Sequence, residues 1–243
     1  MIKLCRKQVR ELKYMSQCGY CSRREADRLI EKGEVWINGT LATMGTKVMP
    51  GDTVMVHHTT ITPCQKEYLL AFHKPAGIVC TTSKIDKNNV IDYLNFPERI
   101  YPVGRLDKES TGLLLLTNNG QLMDDVLRGS NYHEKEYIVH VNKPITDSVL
   151  QAMAQGVPIL DTITRPCKIR RMGKDCFYIT LTQGLNRQIR RMCEYFDYRV
   201  TSLKRIRIMN IELGSLPVGK WRELTPSEIK TLKNLAQNKG EAE

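Results

Sequence analysis

Residues 103–120 read VGRLDKESTGLLLLTNNG, and the fold turns on how this stretch is read. Four consecutive leucines, Leu113 to Leu116, stand between Gly112 and the turn-forming Asn118, Asn119 and Gly120. A short apolar run bounded in this way fits a strand buried on both faces better than a helix. Just before it lies Asp107, with Arg105 close by, in a segment flanked by Gly104 and Gly112. A carboxylate on the loop entering a buried strand is held rigidly at a surface, which suits a catalytic group. The bland alternative makes Asp107 a loop-ordering Asx residue and Lys108, Glu109 and Ser110 a solvated turn.

Composition limits what surrounds this stretch. The chain has 243 residues, enough for one large domain and one small one. Its formal charge of +11 favours a polyanionic partner, because Lys and Arg gain affinity by releasing counterions from a phosphate backbone. A membrane partner is not expected: no basic amphipathic stripe with bulky apolar anchors and no long apolar span is present. The start, MIKLCRKQ, lacks the apolar core of a signal peptide, so a cytoplasmic location is expected. Eight scattered cysteines then read as reduced thiols rather than a disulfide framework. Cys18 and Cys21 have C-x-x-C spacing, and His57 and His58 could complete a zinc site on paper. With no second C-x-x-C, packing is the simpler reading and no metal is expected.

Toward the amino terminus, Ser22 and Glu25 form a capping box that opens a helix from Arg23 to Lys32, ending at Gly33. Ala26, Leu29 and Ile30 can face a core, while Arg24, Arg28 and Lys32 make one cationic stripe. Short strands follow around Val35, Ile37, Leu41, Val54 and Val56, joined by turns at Asn38-Gly39 and Pro50-Gly51-Asp52. Residues 57–67, rich in Thr and containing Pro63, read as a linker.

Beyond it, residues 68–72 form an apolar run of strand length, and Lys74-Pro75-Ala76-Gly77 is a turn. Val90 to Leu94 is a brief helix candidate. Gln121 to Arg128 has helical spacing and Gly129 to close it. Tyr137, Val139 and Val141 alternate as a strand, with Tyr137 a core aromatic on composition alone. His133 reads as an exposed residue leading into that strand rather than a base. A helix is expected after Pro144, with Val149, Leu150 and Met153 inward. Cys167 to Arg171 and Cys176 to Thr182 read as paired strands. Asn186 can cap a helix that turns Ile189, Met192, Cys193 and Phe196 inward and spreads Arg187, Arg190 and Arg191 outward. Val200 to Leu213 are strands, Trp221 packs, and Thr225, Pro226 and Glu228 open a final helix. Residues 238–243 are expected to be a disordered tail.

Several of these segments match a known family. CSRREADRLIEKG followed by V-x-I-N-G resembles the S4 RNA-binding domain. GRLDKESTGLLLLTNNG, KEY at residues 135–137 and NRQIRRM at 186–192 resemble the pseudouridine synthases that modify ribosomal RNA, in the branch with an S4-like amino-terminal domain. Leu185, where many relatives have Arg or Lys, together with HEKEY and RIMN, points to the F-type large-subunit group. The resemblance implies an α+β chain: an S4-like RNA-binding domain over 1–56, the linker, and over 68–237 a catalytic domain. That domain is expected to carry a mixed, mostly antiparallel sheet with flanking helices.

In function, the resemblance implies isomerisation of uridine to pseudouridine on a flipped-out nucleotide. Asp107 would be the catalytic residue, Tyr137 the ring against the base, and Arg190 the cation paired with Asp107. Arg23, Arg24, Arg28, Lys32, Lys74, Arg105, Arg187 and Arg191 are the expected RNA contacts. The reaction breaks and remakes a glycosidic bond without redox change, so no cofactor is implied. The expected partner is large-subunit ribosomal RNA, with transfer RNA a further candidate, and the expected state is a monomer. Two other classes remain open at this point: a noncatalytic S4-type RNA chaperone and a metal-dependent RNA hydrolase. The first has no need of Asp107, Tyr137 and Arg190 together; the second would be inhibited by a chelator.

Overall fold

The structure, a computed structural model, describes residues 9–63, 66–83, 85–127 and 132–237. The expected tail and the Gly129 helix stop lie outside them. The chain divides into two compact units, residues 1–67 with 97–100 and residues 68–96 with 101–243.

The small unit contains β1 (Val9–Arg10), α1 (Glu11–Gln17), α2 (Arg23–Glu31), β2 (Val35–Ile37), β3 (Thr40–Leu41), β4 (Lys47–Val48), β5 (Val54–Val56) and β6 (Thr59–Ile61). Helix α2 begins where Ser22 accepts a hydrogen bond from the Glu25 amide at 3.1 Å, and Gly33 lies just past its end at φ 73°. Its inward residues Ala26, Leu29 and Ile30 join Val35, Ile37, Val54 and Val56 in one core. Four strands pair antiparallel in the order β3-β2-β5-β6, and β1 pairs with β4. Asn38 and Gly39 both take positive φ, the requirement of a two-residue type I′ hairpin. The Asn38 side chain ties this turn to the next one, donating to Asp52 at 2.8 Å and accepting from the Thr53 amide at 2.9 Å.

One expectation is corrected here. Residues 59–61 are not linker but strand β6, which pairs with β5 through a turn at His57 (φ 46°) and His58 (φ 62°). Left-handed backbone is uncommon outside glycine, so a His-His pair carries only a weak turn signal. The His58 ring stacks on Trp36 at 5.5 Å, which helps to hold that conformation.

The large unit contains β7 (Leu69–Lys74), α3 (Val90–Leu94), β8 (Tyr101–Val103), β9 (Thr111–Thr117), α4 (Gly120–Leu127), β10 (Lys135–Val141), α5 (Asp147–Gln155), β11 (Pro158–Ile159) and β12 (Thr162–Ile163). It continues with β13 (Lys168–Arg171), β14 (Cys176–Leu181), α6 (Gln188–Tyr195), β15 (Val200–Ile208), β16 (Ile211–Glu212), β17 (Trp221–Glu223) and α7 (Pro226–Gln237). A nine-stranded sheet runs β13-β14-β10-β15-β9-β7-β17, with β16 added to β15 and β8 to β9. All its pairings are antiparallel except β9 with β15.

Strand β9 is the leucine run. Leu113 to Leu116 are all at most 3 % exposed, as expected of a strand covered on both faces. Each contributes roughly 2 kcal/mol of burial. Leu113 and Leu115 enter a core closed by α4 and α7 through Leu122, Val126, Leu232 and Ala236. A second core lies under α5 and α6, where Leu150, Met153, Ile189, Met192 and Cys193 meet Val139, Phe177 and Ile179. Two cores on one sheet leave its middle strands, β15 and β9, as the seam between them.

That seam depends on one missing side chain. Gly112 pairs with Arg205, and a Cβ at Gly112 would overlap the Arg205 backbone carbonyl. The glycine therefore permits the parallel contact and fixes where the segment before it leaves the sheet.

Candidate active site

Asp107 lies on the loop from β8 to β9, on the face of the large unit. The loop folds back on itself, the Ser110 amide donating to the Asp107 carbonyl at 3.1 Å, after Gly104 turns the chain at φ 80°. Beneath it is Lys74, completely buried. Its ammonium donates to the carbonyls of Pro75 at 2.8 Å, Lys108 at 3.3 Å and Ser110 at 2.8 Å. The Gly77 amide adds a bond to the Lys108 carbonyl at 2.8 Å. The K-P-x-G turn is thus the cradle of the Asp107 loop. This corrects the expectation that Lys74 meets RNA, because its donors are spent on backbone carbonyls inside the protein. Burial pushes its pKa below the ordinary lysine value, although Glu109 and Asp107 are among the groups opposing that shift.

Arg190 reaches this loop from α6. Its Nε lies 3.5 Å from the Asp107 carboxylate, a charge contact without hydrogen-bond alignment. Its other nitrogens donate to the Ser110 hydroxyl and the Val200 carbonyl, both at 3.3 Å. The Arg190 side chain is 11 % exposed and that of Asp107 is 28 % exposed. The expected outward spread of three arginines therefore fails at Arg190, which turns in. Arg187 stays outside, 3.5 Å from Glu109, and Arg191 folds back to accept-capable Asn186, donating to its carbonyl at 3.1 Å. Asn186 is not the helix cap. Arg187 holds that position in left-handed backbone with no side-chain capping bond.

Tyr137 stands on β10, directly opposite Arg205 of β15. Asp107, Tyr137, Arg105, Arg187 and Arg205 all line one open cleft of about 1150 Å³. Three segments far apart in sequence converge there because β8–β9, β10 and α6 flank the same part of the sheet. Arg105 is exposed at its edge. On the small unit, Arg23, Arg24, Arg28 and Lys32 are all exposed on or next to α2, and Arg28 pairs with Glu25 at 3.1 Å.

His133 corrects another expectation. It is 7 % exposed, and its Nδ1 lies 2.9 Å from the Val126 carbonyl, so it anchors α4 to the start of β10. The HEKEY and RIMN segments also meet: Arg207 pairs with Glu134 at 2.9 Å and Glu136 at 3.0 Å. Of the C-x-x-C pair, Cys21 belongs to the small core and burial pushes the Cys18 thiol up to about 11, the behaviour of packing atoms. Among the described residues no group of three His, Cys, Asp or Glu could hold a metal ion, and no helix is long and apolar enough to cross a membrane.

The chain that builds this cleft resembles known proteins. The RNA pseudouridylate synthase family matches residues 68–195, and the S4 domain matches residues 12–54. This chain belongs to the RNA pseudouridylate synthase family. The synthase is 52% identical over 232 residues to the dual-specificity RNA pseudouridine synthase RluF of Escherichia coli O6:H1, covering 95% of this chain and 80% of that protein. It is 34% identical to ribosomal large subunit pseudouridine synthase B of Bacillus subtilis, covering 93% and 96% of the two chains. A crystal structure of a pseudouridylate synthase superposes with a TM-score of 0.67 at 28% identity, over 92% of this chain and 99% of that one. The synthase is thus an S4-domain enzyme that isomerises uridine in RNA.

Sequence reasoning missed Ser110 and Arg205. Ser110 is completely buried and receives Arg190, but in the sequence it reads as part of a solvated turn. Arg205 is 3 % exposed in a segment, LKRIRI, read only as strand, where nothing sets one of its cations apart.

Proposed function

We propose that this synthase acts on large-subunit ribosomal RNA, with transfer RNA a second substrate class, and that Asp107 carries out the reaction at C1′ or C2′ of an everted uridine. It works as a monomer in the cytosol. The observation that carries this reading is the 3.5 Å pairing of Arg190 with Asp107, which lines the same cleft as Tyr137. One chain supplies all three, so no second copy is needed to complete the site. Support for the substrate comes from the relatives, one named for dual specificity and the other for the large ribosomal subunit.

The chemistry follows from the residue types. Breaking the N1–C1′ bond builds positive charge at C1′, which an ionised carboxylate can trap covalently, as in glycosidases. Alternatively Asp107 takes the C2′ proton and a glycal forms. In both routes the bonding pair leaves with the ring, the ring turns, and C5 joins C1′ as the Asp107 carboxylate either leaves C1′ or returns its proton to C2′. The C5 proton is then removed and N1 regains one, so substrate and product are isomers. Both routes use Asp107 as a carboxylate, and the Arg190 guanidinium 3.5 Å away holds it in place. Extracting uridine from its stack costs a few kcal/mol, offset by stacking on Tyr137 and by phosphate contacts from Arg105, Arg187 and Arg191. The arginine-lined helix of the S4 domain, Arg23 to Lys32, adds sequence-independent affinity.

The test is to map pseudouridines in ribosomal and transfer RNA from cells with the gene, without it, and with Asp107→Asn. Deletion should erase at least one pseudouridine and Asp107→Asn should fail to restore it, while binding the same RNA within about threefold of the parent. Restoration by the Asn variant would reject the assignment of Asp107.

A further inference from the structure

Arg205 occupies an unusual position for a cation. On β15 it sits between Gly112 of β9 and Tyr137 of β10, and as the cross-strand neighbour of Tyr137 it shares that side chain's face of the sheet. The guanidinium carbon is 6.0 Å from the centre of the Tyr137 ring. Its Nε donates to the Leu113 carbonyl at 2.7 Å, fixing the fork against the leucine strand. Its Nη2 is buried and has no hydrogen-bond partner among the described residues. The residue is 3 % exposed yet forms part of the wall of the Asp107 cleft.

A buried cation with an open donor is costly unless something arrives to meet it. The carboxylates lining the cleft are Asp86 and Asp107, and among the described residues neither pairs with it: Asp107 faces Arg190. The surroundings are instead cationic. Lys135 lines the same cleft, and its pKa is lowered to about 8, first by burial and then by Arg205. In the resting protein this corner therefore has positive charge in excess. What it lacks is an anion, and the reaction makes one.

Resting on the reading of the cleft as the place where uridine is everted, we propose that Arg205 is a further catalytic residue, whose free donor stabilises the uracil ring as an anion while it is detached from the sugar. When N1–C1′ breaks, the electron pair goes to the ring and spreads over N1 and the carbonyl oxygens. This holds whether Asp107 has bonded to C1′ or has taken the C2′ proton. A donor aimed at charge that exists only after cleavage lowers the barrier without tightening ground-state binding. The placement beside Tyr137 is what the task requires, since the detached ring must stay stacked while it turns. When C5 bonds to C1′ the ring's charge is discharged, and Arg205 is again without an anion.

The test compares the parent, Arg205→Gln and Arg205→Lys in single-turnover reactions at saturating RNA. One RNA carries uridine at the mapped position and the other 5-fluorouridine, whose ring anion is intrinsically more stable. Ring detachment is read by mass spectrometry as loss of the starting nucleoside after digestion. Arg205→Gln should slow the uridine reaction about 10²-fold, as removal of a donor to developing negative charge does. The same variant should lose less than about tenfold on 5-fluorouridine and change RNA affinity less than about threefold. Arg205→Lys, which keeps the charge but not the fork, should fall between. Equal losses on the two RNAs, or no loss on either, would overturn the proposal. If thermal melting shows that the Gln variant does not fold, Arg205→Lys is read by the same comparison, and equal losses there are equally fatal. A parent inactive on uridine would instead overturn the reading of the whole cleft along with this one.

Discussion

Arg190 divides its guanidinium among a carboxylate, a hydroxyl and a carbonyl, and so positions Asp107. Arg190→Ala should reduce single-turnover rate by about 10²-fold or more while leaving RNA affinity within about threefold, measured by filter binding beside product formation. A normal rate with weakened binding would make it a phosphate contact. Tyr137→Phe should keep the stacking surface and RNA affinity but lose product by about 10²-fold, since the family resemblance gives its hydroxyl a part in removing the C5 proton. Full turnover by that variant would remove the hydroxyl from the mechanism. Asp107, Tyr137 and Arg190 stand out in the sequence because each sits in a motif of distinctive spacing, and the fold pairs the first with the third. Arg205 does not stand out, because side-chain periodicity reports which face a residue takes and says nothing of whether that face is wet. Lys74 misled for a related reason: a lysine after a buried strand reads as solvent-facing until three carbonyls are found around it.

Among the elements, those with side-chain caps were the most readable. In α7, Thr225 accepts from the Glu228 amide at 3.2 Å and Glu228 accepts from the Thr225 amide at 2.8 Å, the reciprocal box expected from the sequence. The structure adds a clamp: Arg222 of β17 grips both oxygens of Glu228, at 2.8 and 2.7 Å. These bonds, the Arg222 hydrogen bond foremost, hold the Glu228 carboxyl down at about 2. A depressed acid pKa means stability that is present above the unfolded value near 4.5 and lost as pH falls toward 2. Glu228→Gln should therefore lower stability by about 1 kcal/mol at neutral pH, after allowance for solvent screening of this partly exposed pair. It should also flatten the decline between those two pH values, as followed by thermal melting from pH 2 to 7. A parallel fall in both proteins would show that the clamp contributes nothing. Elements built on unexpected backbone were opaque by contrast. Strand β6 hangs on the left-handed His57 and His58, and α6 starts from left-handed Arg187 rather than from the Asn186 cap that its sequence offers.

For the molecule as a whole, the charge of +11 and the exposed cations of α2 predict affinity that depends on salt. Replacing Arg24, Arg28 and Lys32 together with Ala should reduce the slope of log affinity against log salt by about two, since each phosphate contact contributes roughly 0.7 to 0.9. Titration of a ribosomal RNA fragment at several salt concentrations checks this, and an unchanged slope would leave that helix a merely hydrated face. The order of the two domains was readable from where the charge stripe and the leucine run fall; the strand order was not, because the contact between β9 and β15 joins segments separated by most of the catalytic domain. Arg205 and Leu113, bonded across that seam, are 92 positions apart. During translation, then, the acid and its Lys74 cradle emerge long before β15, and a growing chain whose synthesis has not yet passed Ile208 lacks the strand that completes the seam beside the GRLD loop. Such a chain cannot yet turn uridine over, and competence waits on the synthesis of β15.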